Sequence, residues 1–355
     1  MHLPAISFIT AFALTFFAIP PIIEIARTKH LFDIPGERSS HKVATPSLGG
    51  VAIFAGAVFS IVLWTPFKDF ANLQYILGAF LILFLIGVKD DISPVSPGKK
   101  MIAQLLAAAI LIFRSDIRLE GMYGLLGFHD ELGGLVFILL SFFTIIVIVN
   151  AFNLLDGIDG LAGSVGAIIM VTFGVWFYLT GHVELSTVAF ASAGAVAAFL
   201  RFNYSPARIF MGDTGSLFIG LVCAIMSIRF INFNYALEDG HPYKFAGTPA
   251  VAIGIMMLPL FDTLRVFITR IFRGHSPFHP DRRHIHHMLI DFGMTHLQAT
   301  ALLVFVQMLF TVLAFSFHYS LGLHRLLLLE IILAIGMTYW LHLNIVKHRR
   351  FRLPE

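Results

Sequence analysis

The stretch FFTIIVIVNAFNLLDGIDGLAG (142–163) contains the pattern that decides the fold. Seven of its first eight residues are apolar, and the next fourteen contain two amides, two carboxylates and three glycines. Ionisable groups at the end of a membrane span are costly unless they face a polar cavity or a partner. The stretch therefore predicts a membrane helix that delivers polar side chains to one face of the bilayer.

The composition of the whole chain supports a membrane protein. Of its 355 residues, 57% are hydrophobic and 13% are charged, whereas soluble domains have roughly 25% charged residues. Apolar blocks of about 20 residues recur along the chain, which is typical of transmembrane helices. We predict an all-α, polytopic integral membrane protein with a single domain (1–355), and we read its first block as a retained helix without a cleavage site.

Eleven segments are predicted to span the membrane. They are 4–26, 48–64, 73–88, 100–113, 134–152, 161–180, 185–202, 214–235, 248–268, 298–318 and 324–343. An odd number puts the two termini on opposite sides, and most Lys and Arg residues fall in inner loops only if the N-terminus is outside. We therefore expect a periplasmic N-terminus, a cytoplasmic C-terminus and polar clusters on the cytoplasmic face.

The polar residues of the opening stretch are regularly spaced. Asn150, Asn153, Asp156 and Asp159 follow one another at three-residue intervals, so on a continuing helix the first three share about a third of its circumference. The alternative explanation is that these polar residues cap the helix and are solvated by the lipid headgroups. Four oxygen-bearing side chains within ten residues favour a binding site over that alternative.

A second cluster contains Asp90 and Asp91, followed by Lys100. Adjacent carboxylates repel each other unless they share a cation or a proton. Lys100 and Gln104 lie on the same helix face at the depth of lipid headgroups, where a lysine can bind a lipid phosphate as a point charge. The alternative to phosphate binding is that the lysine only extends its ammonium group to the water at the membrane surface, and we prefer this explanation for Lys99.

A third cluster, GDTGS (212–216), lies between a loop and a helix. Glycine-rich turns at a helix start suit phosphate oxygens, and Asp213 is compatible with a phosphate when a metal bridges the two. Oxygen ligands of this kind select Mg²⁺ or Mn²⁺. A plain helix N-cap remains the alternative, and Phe210 either stacks on a base or anchors the loop.

The fourth cluster is HPDRRHIHH (279–287). Its three candidate imidazole ligands are His284, His286 and His287, which could form a metal site. Arg282 and Arg283 favour a diphosphate instead, because guanidinium groups repel a cation and attract phosphate. Nearby, Asp262 and Arg265 are three residues apart, and a paired charge at the membrane interface explains them as well as a substrate role does.

The four clusters together indicate metal-assisted phosphoryl transfer between a soluble diphosphate and a lipid phosphate. This chemistry requires positioning and charge neutralisation more than a special nucleophile. With HKVATPSLGG (41–50), the four motifs resemble those of the polyprenyl-phosphate N-acetylhexosamine-1-phosphate transferases over the whole chain. The form SPFHPDRRHIHH and the eleven predicted spans resemble the WecA-like branch, whereas the MraY-like branch typically has ten spans.

The resemblance implies transfer of GlcNAc-1-phosphate from UDP-GlcNAc to undecaprenyl phosphate, giving undecaprenyl-diphospho-GlcNAc and UMP. It also implies Mg²⁺ or Mn²⁺ as cofactor, a location in the bacterial inner membrane with the active site on the cytoplasmic face, and a first step towards O antigen of lipopolysaccharide, enterobacterial common antigen or a related polysaccharide. A homodimer is a further expectation.

The resemblance also implies roles for individual residues. Asp213 would ligate the metal with help from Asn153, and Asp90 and Asp91 would bind or deprotonate the lipid phosphate beside Lys100. Asp90, Asp91, Asp156 and Asp213 would form the catalytic set. The nucleotide and sugar would contact Asn150, Asn153, Asp156, Asp159, Phe210, Lys42, Arg282, His284, His286 and His287.

Other functions remain open at the level of sequence. The same chemistry could use another UDP-N-acetylhexosamine, including UDP-MurNAc-pentapeptide, and the attack could be direct or pass through a phospho-aspartate. A CDP-alcohol phosphotransferase is disfavoured because Ala-Arg does not follow DGID (156–159). A transporter of nucleotide sugars or divalent metals would place polar residues near the bilayer midplane, whereas here they gather at one interface.

Overall fold

A computed structural model describes residues 2–33, 45–67, 70–128, 133–274 and 283–352. Within these ranges the regular secondary structure is α-helical apart from one antiparallel pair of short strands, β1 (Phe32–Asp33) and β2 (Thr45–Pro46), and one 3-10 turn. The helices are α1 (His2–Thr28), α2 (Gly49–Trp64), α3 (Phe70–Ile92), α4 (Pro97–Arg114), α5 (Gly133–Leu155), α6 (Leu161–Leu179), α7 (Val183–Asn203), α8 (Gly212–Ala236), α9 (Thr248–Ile255), α10 (Met257–Phe272), α11 (Ile285–Phe292) and α12 (His296–Arg352). The predicted all-α class is confirmed.

Each of the eleven predicted segments falls on a helix, but fewer helices meet the length and hydropathy that a membrane crossing needs. Among the described residues six do so, namely α1, α5, α6, α7, α8 and α12. A seventh is added if α9 and α10, which meet at 85°, count as one span. The chain is thus a polytopic membrane protein, while the number eleven and the orientation stay predictions.

Helix α12 covers the last two predicted segments. Its backbone leaves the helical region at Gly322, where φ is 64° and ψ is −171°. A single crossing needs about 20 residues, so a helix of 57 residues is long enough for two crossings with the break between them.

Helix α8 forms the centre of the bundle. It is buried on all sides from Thr214 to Ile228, and it packs against α2, α3, α5, α6 and α7. A helix that is apolar all round belongs in a core. The outer helices instead expose large apolar side chains such as Phe17, Phe143 and Trp340, as expected for surfaces that face lipid tails.

The polar ends of these helices meet on one side of the bundle. The C-terminal ends of α3, α5 and α7 lie beside the N-terminal ends of α8 and α12, because residues from all five line one cavity. Polar residues from separate clusters therefore meet at one end of the bundle, while their location on the cytoplasmic face stays a prediction.

Candidate active site

A polar cavity of about 600 Å³ opens where these helix ends meet. Its lining combines carboxylates, amides and imidazoles from segments far apart in the sequence. They are Phe32, Ser47, Asp90, Asp91, Ile92, Pro94, Asn153, Asp156, Gly157, Ile158, Asp159, Asn203, Phe210, Gly212, Asp213, His287 and His296.

Asp91 connects the end of α3 to the start of α8. Its Oδ1 accepts a hydrogen bond from the backbone N–H of Asp213 (2.7 Å). Its Oδ2 accepts from the backbone N–H of Thr214 (3.1 Å) and from the Thr214 hydroxyl (2.5 Å). A carboxylate at a helix N-terminus satisfies amides that have no partner within the helix. Asp91 therefore caps α8 from outside and fixes the backbone of Asp213.

The close approach of α3 and α8 depends on glycine. A Cβ at Gly87 would lie 2.5 Å from Cα of Thr214, which is far inside van der Waals contact. Gly212 has φ of +69°, and a Cβ there would lie 2.5 Å from Oδ1 of Asp91 and 2.4 Å from the carbonyl oxygen of Ser47. Because neither glycine has a side chain, the end of α3 that carries Asp91 can contact the start of α8 that carries Asp213.

Lys100, on the first turn of α4, lies between two carboxylates. Its Nζ atom is 2.7 Å from Oδ2 of Asp90 and 2.5 Å from Oδ2 of Asp213. The other oxygen of Asp90 accepts the backbone N–H of Val95 (2.6 Å). One ammonium therefore joins the acidic pair on α3 to the acidic residue on α8 and neutralises part of their charge.

Asn153 completes the group around Asp213. Its Nδ2 donates to Oδ1 of Asp213 (2.9 Å) and to Oγ of Ser216 (3.0 Å). Because the nitrogen donates twice, the amide oxygen is the atom through which Asn153 could ligate a cation. By contrast, Asn150 lies deeper, where its amide pairs with that of Gln104 (2.8 Å), and it is not among the cavity-lining residues.

The segment SLGG (47–50) backs the cavity by pairing with the segment before α8. Backbone N–H groups of Gly49 and Gly50 donate to the carbonyls of Phe210 (2.9 Å) and Met211 (2.8 Å). A Cβ at Gly50 would lie 2.1 Å from the backbone nitrogen of Gly215. Glycine at position 50 therefore allows the start of α2 to lie directly against the first turn of α8.

The loop between α5 and α6 presents Asp156 and Asp159 to the cavity. Burial, with repulsion from Asp213, Asp91 and Asp159, raises the pKa of Asp156 to about 8. The pKa of Asp159 is lowered despite its burial, because His296, Ser205 and the Ala207 amide bind its carboxylate. The two carboxyl groups of this loop therefore differ in their affinity for a proton, although they are three residues apart.

His296 is a cavity residue that the sequence analysis missed. Its Nδ1 lies 3.2 Å from Oδ1 of Asp159. The signal that could have located it is the sequence THLQ (295–298), which is a capping box. The Thr295 backbone N–H donates to Oε1 of Gln298 (3.0 Å) and the Gln298 N–H to Oγ1 of Thr295 (3.3 Å), so α12 starts with His296 beside the cavity.

The three candidate ligands of the fourth cluster have different surroundings. His287 lines the cavity, whereas His284 and His286 are buried behind it. A Cβ at Gly157 would lie 2.2 Å from Nε2 of His286, so this imidazole packs directly on the turn that follows Asp156. Burial and the neighbouring His287 lower the pKa of His286 to about 3, which makes it a neutral packing group.

The predicted site residues thus fall into three sets. Eight line the cavity: Asp90, Asp91, Asn153, Asp156, Asp159, Phe210, Asp213 and His287. Lys100 reaches this set through ion pairs, while Asn150, His284 and His286 lie behind the cavity wall. Lys42 and Arg282 lie outside the described residues.

The donors around Asp213 fit a divalent cation that a substrate completes. Among the described residues, no three His, Cys, Asp or Glu side chains form a ready ligand group. Mg²⁺, however, usually takes only one or two carboxylates and completes its shell with waters and substrate phosphates. Asp213 already attracts one cation, the ammonium of Lys100, and it has the Asn153 amide beside it.

Sequence comparisons relate the chain to known proteins. The model of glycosyl transferase family 4 matches residues 73–231, a range that includes all five acidic residues of the cavity. A Bacillus subtilis (strain 168) protein described as a probable undecaprenyl-phosphate N-acetylglucosaminyl 1-phosphate transferase is 32% identical over 305 residues, which are 85% of this chain and 81% of the relative.

Two further relatives carry a closely similar description, undecaprenyl-phosphate alpha-N-acetylglucosaminyl 1-phosphate transferase. The protein from Escherichia coli (strain K12) is 27% identical over 301 residues, covering 84% of this chain and 79% of the relative. The protein from Salmonella typhi is 27% identical over 277 residues, covering 77% and 72%. The chain therefore belongs to the family of polyprenyl-phosphate N-acetylhexosamine-1-phosphate transferases that its motifs predicted.

Proposed function

We propose that this protein transfers GlcNAc-1-phosphate from UDP-GlcNAc to undecaprenyl phosphate and releases UMP. The observation that carries the proposal is the position of Lys100, whose ammonium contacts both Asp90 and Asp213 at the edge of a polar cavity. Two anionic substrates must approach each other in this reaction, and a shared cation between two carboxylate segments can receive a phosphate at that point.

The two substrates bind to different residues of the site. Asp90 and Lys100 bind the lipid phosphate, because they lie at the end of α3 and the start of α4, where a headgroup would enter. Asp156, Asp159, His287, His296 and Phe210 surround the remaining cavity and bind the nucleotide sugar. Asp159, whose carboxylate is held by His296 (3.2 Å) and by the Ala207 amide (3.3 Å), offers a fixed acceptor for a nucleobase N–H.

A Mg²⁺ or Mn²⁺ ion, held by Asp213 and Asn153 with the diphosphate, would neutralise charge on the transferring phosphoryl group. Asp90 accepts any remaining proton of the lipid phosphate at Oδ2, and the lipid phosphate oxygen attacks the β-phosphorus directly. A bond forms between that oxygen and the β-phosphorus, the bond from the β-phosphorus to the bridging oxygen breaks, and UMP leaves with the bonding electron pair. Both carboxylate oxygens of Asp91 accept hydrogen bonds from the start of α8, so Asp91 holds Asp213 in position during the reaction.

An apolar groove supports a lipid substrate. It has a volume of about 510 Å³ and lies between α10, α11 and α12, with Phe261, Ile285, Leu289, Leu303 and Trp340 among its lining residues. Helix α11 separates this groove from the polar cavity, because Ile285 and Leu289 face the groove while His287 faces the cavity. A polyprenyl chain in the groove would have its phosphate near the polar residues.

The remaining parts of the proposal concern the cell. The cavity would lie on the cytoplasmic face of the inner membrane, where UDP-sugars are made, if the chain has the predicted eleven spans and a periplasmic N-terminus. The product then serves as the first lipid intermediate of O antigen, enterobacterial common antigen or a related polysaccharide. The positive-inside bias of the loops supports this orientation.

The test is UMP release by purified protein in detergent with undecaprenyl phosphate, UDP-GlcNAc and Mg²⁺ or Mn²⁺. UDP-GalNAc and UDP-MurNAc-pentapeptide serve as competing substrates, and chelator replaces the metal in a parallel reaction. We expect metal-dependent UMP release with UDP-GlcNAc. Turnover of only one of the other UDP-sugars would move the protein to another branch of the family, and release of UMP in chelator would reject the metal.

A further inference from the structure

Asp262 on α10 holds the start of α11. The carboxylate is 3% exposed, and its Oδ1 accepts the backbone N–H of Ile285 (3.0 Å) and a guanidinium N–H of Arg265 (2.9 Å). Its Oδ2 lies 2.9 Å from Nδ1 of His284. An ionised carboxylate only accepts hydrogen bonds, so the proton of the His284 imidazole is on Nδ1. Three donors from three residues thus converge on one buried carboxylate.

A second contact strengthens this attachment. Arg265, one turn along α10 from Asp262, also donates to the backbone carbonyl of Arg283. The residues immediately before α11 and the first residue of α11 are therefore fixed to the same face of α10. Breaking one partner of such a buried network leaves the other groups unpaired, which is more costly than losing a surface pair.

The attachment determines where His287 points. His284 is the residue that directly precedes α11, so its attachment to Asp262 fixes the start of the helix that carries His287. With His284 fixed to Asp262 and His286 packed against Gly157, the rotation of α11 is set from both sides. His287 then lies in the cavity wall together with Asp156 and Asp159.

We propose that Asp262 is a positioning residue for the nucleotide sugar. It does not touch the substrate; it fixes α11 so that His287 contacts the diphosphate–sugar part of the donor substrate. This inference rests on the proposed function, because it assigns the role within the same cavity. It also explains why α10 has a buried carboxylate, although Asp262 is its one acidic residue.

The test compares Asp262→Asn, His287→Ala and the double variant. In Asp262→Asn one oxygen becomes an NH₂ group, which cannot accept the Nδ1–H of His284. We expect KM for the nucleotide sugar to rise about tenfold, as for the loss of one charge-assisted hydrogen bond, and to rise by more than KM for the lipid phosphate, whose proposed groove is also lined by α11. His287→Ala should produce a rise at least as large. Thr269→Ala, which removes only a bond within α10, is the matched control.

The double variant decides between positioning and general stability. If Asp262 acts through His287, Asp262→Asn should add nothing to His287→Ala, so the double variant should equal His287→Ala. Additive losses, or equal changes in the KM values of both substrates, would overturn the proposal.

Hydrogen exchange separates this proposal from the proposed function. Amides of residues 285–292 should exchange faster in Asp262→Asn than in wild type or in Thr269→Ala, whether or not the protein turns over UDP-GlcNAc. Unchanged exchange would overturn the role of Asp262. A wild-type protein without activity, with faster exchange in the variant, would reject the function and leave the attachment of α11 intact.

Discussion

The Nζ atom of Lys100 lies 2.5 Å from Oδ2 of Asp213, although the two residues are 113 positions apart in the sequence. The same ammonium lies 2.7 Å from Asp90. Two clusters that the sequence presents separately, the paired aspartates and the GDTGS turn, are therefore parts of one charge network, and Lys100 is the residue that joins them.

Removing this ammonium should strongly reduce activity. We expect Lys100→Met to lower kcat/KM for undecaprenyl phosphate about 100-fold, because both the phosphate and the carboxylates lose their counter-charge. The assay is initial-rate UMP release at varied lipid phosphate. Lys99→Met is the matched control, since Lys99 is exposed on the same turn, and it should retain wild-type kinetics. Similar losses in the two variants would contradict the assignment.

Adding a methyl group at Gly212 should break the contact between α3 and α8. Gly212→Ala meets Oδ1 of Asp91 and the Ser47 carbonyl at a positive φ, so we expect a loss of about 1–3 kcal/mol in stability and little activity. Thermal unfolding and UMP release measure the two effects. Gly98→Ala has open space around its Cβ and should be neutral or slightly stabilising; equal behaviour of both variants would show that the glycine contact is unimportant.

The raised pKa of Asp156 predicts a pH-dependent stability. Between its ordinary value of 3.8 and about 8, the folded protein keeps a proton on Asp156 that the unfolded chain has released. Wild-type stability should therefore fall as pH rises through this range. The thermal midpoint of Asp156→Asn relative to wild type should increase from pH 5 to pH 8 in buffer with chelator.

The control for this experiment is Asp116→Asn, because Asp116 is largely exposed and remote from the cavity. Its difference from wild type should stay constant over the same pH range. A constant difference for Asp156→Asn as well would mean that the carboxyl group is already ionised in the folded protein.

The buried carboxyl group of Glu330 should lower the stability of the folded protein. The residue is fully buried in α12, and neither carboxylate oxygen has a hydrogen-bond partner among the described residues. Burying a polar group without a partner costs roughly 1–3 kcal/mol, so Glu330→Met should raise the thermal midpoint while activity is retained.

The nearby Gln307 provides the opposite case. Its Oε1 accepts the Leu258 N–H (3.1 Å) and its Nε2 donates to the Ile255 carbonyl (2.8 Å) at the break between α9 and α10. Gln307→Met should lower the thermal midpoint by a similar amount, because it leaves both backbone groups unpaired. A lower midpoint for Glu330→Met would instead indicate that the carboxylate has a partner in the folded protein.

The positions of the helices could be predicted from the sequence because hydropathy is a local property. All eleven apolar segments proved helical. Their number as membrane crossings could not be deduced in the same way, since α2 is only 16 residues long and α12 runs through two segments with a break at Gly322. Whether such helices cross depends on packing against neighbours, which hydropathy does not contain.

The site could be predicted in part for a related reason. Carboxylates and amides clustered in short stretches, such as 150–159, identify themselves as candidates. Asn150 shared that pattern but pairs with Gln104, and the partnership of Asp262 with His284 joins residues 22 positions apart. Such contacts depend on tertiary structure, so spacing alone could not assign them.

The cavity draws its lining from Phe32 through to His296, and this has a consequence for biosynthesis. A nascent chain that has been inserted only as far as α8 possesses all five acidic residues but lacks the imidazoles of α11 and α12. The ribosome must pass residue 296 of 355 before a complete substrate pocket can exist. The pocket is therefore completed only late in synthesis, once α11 and the first residue of α12 have been made.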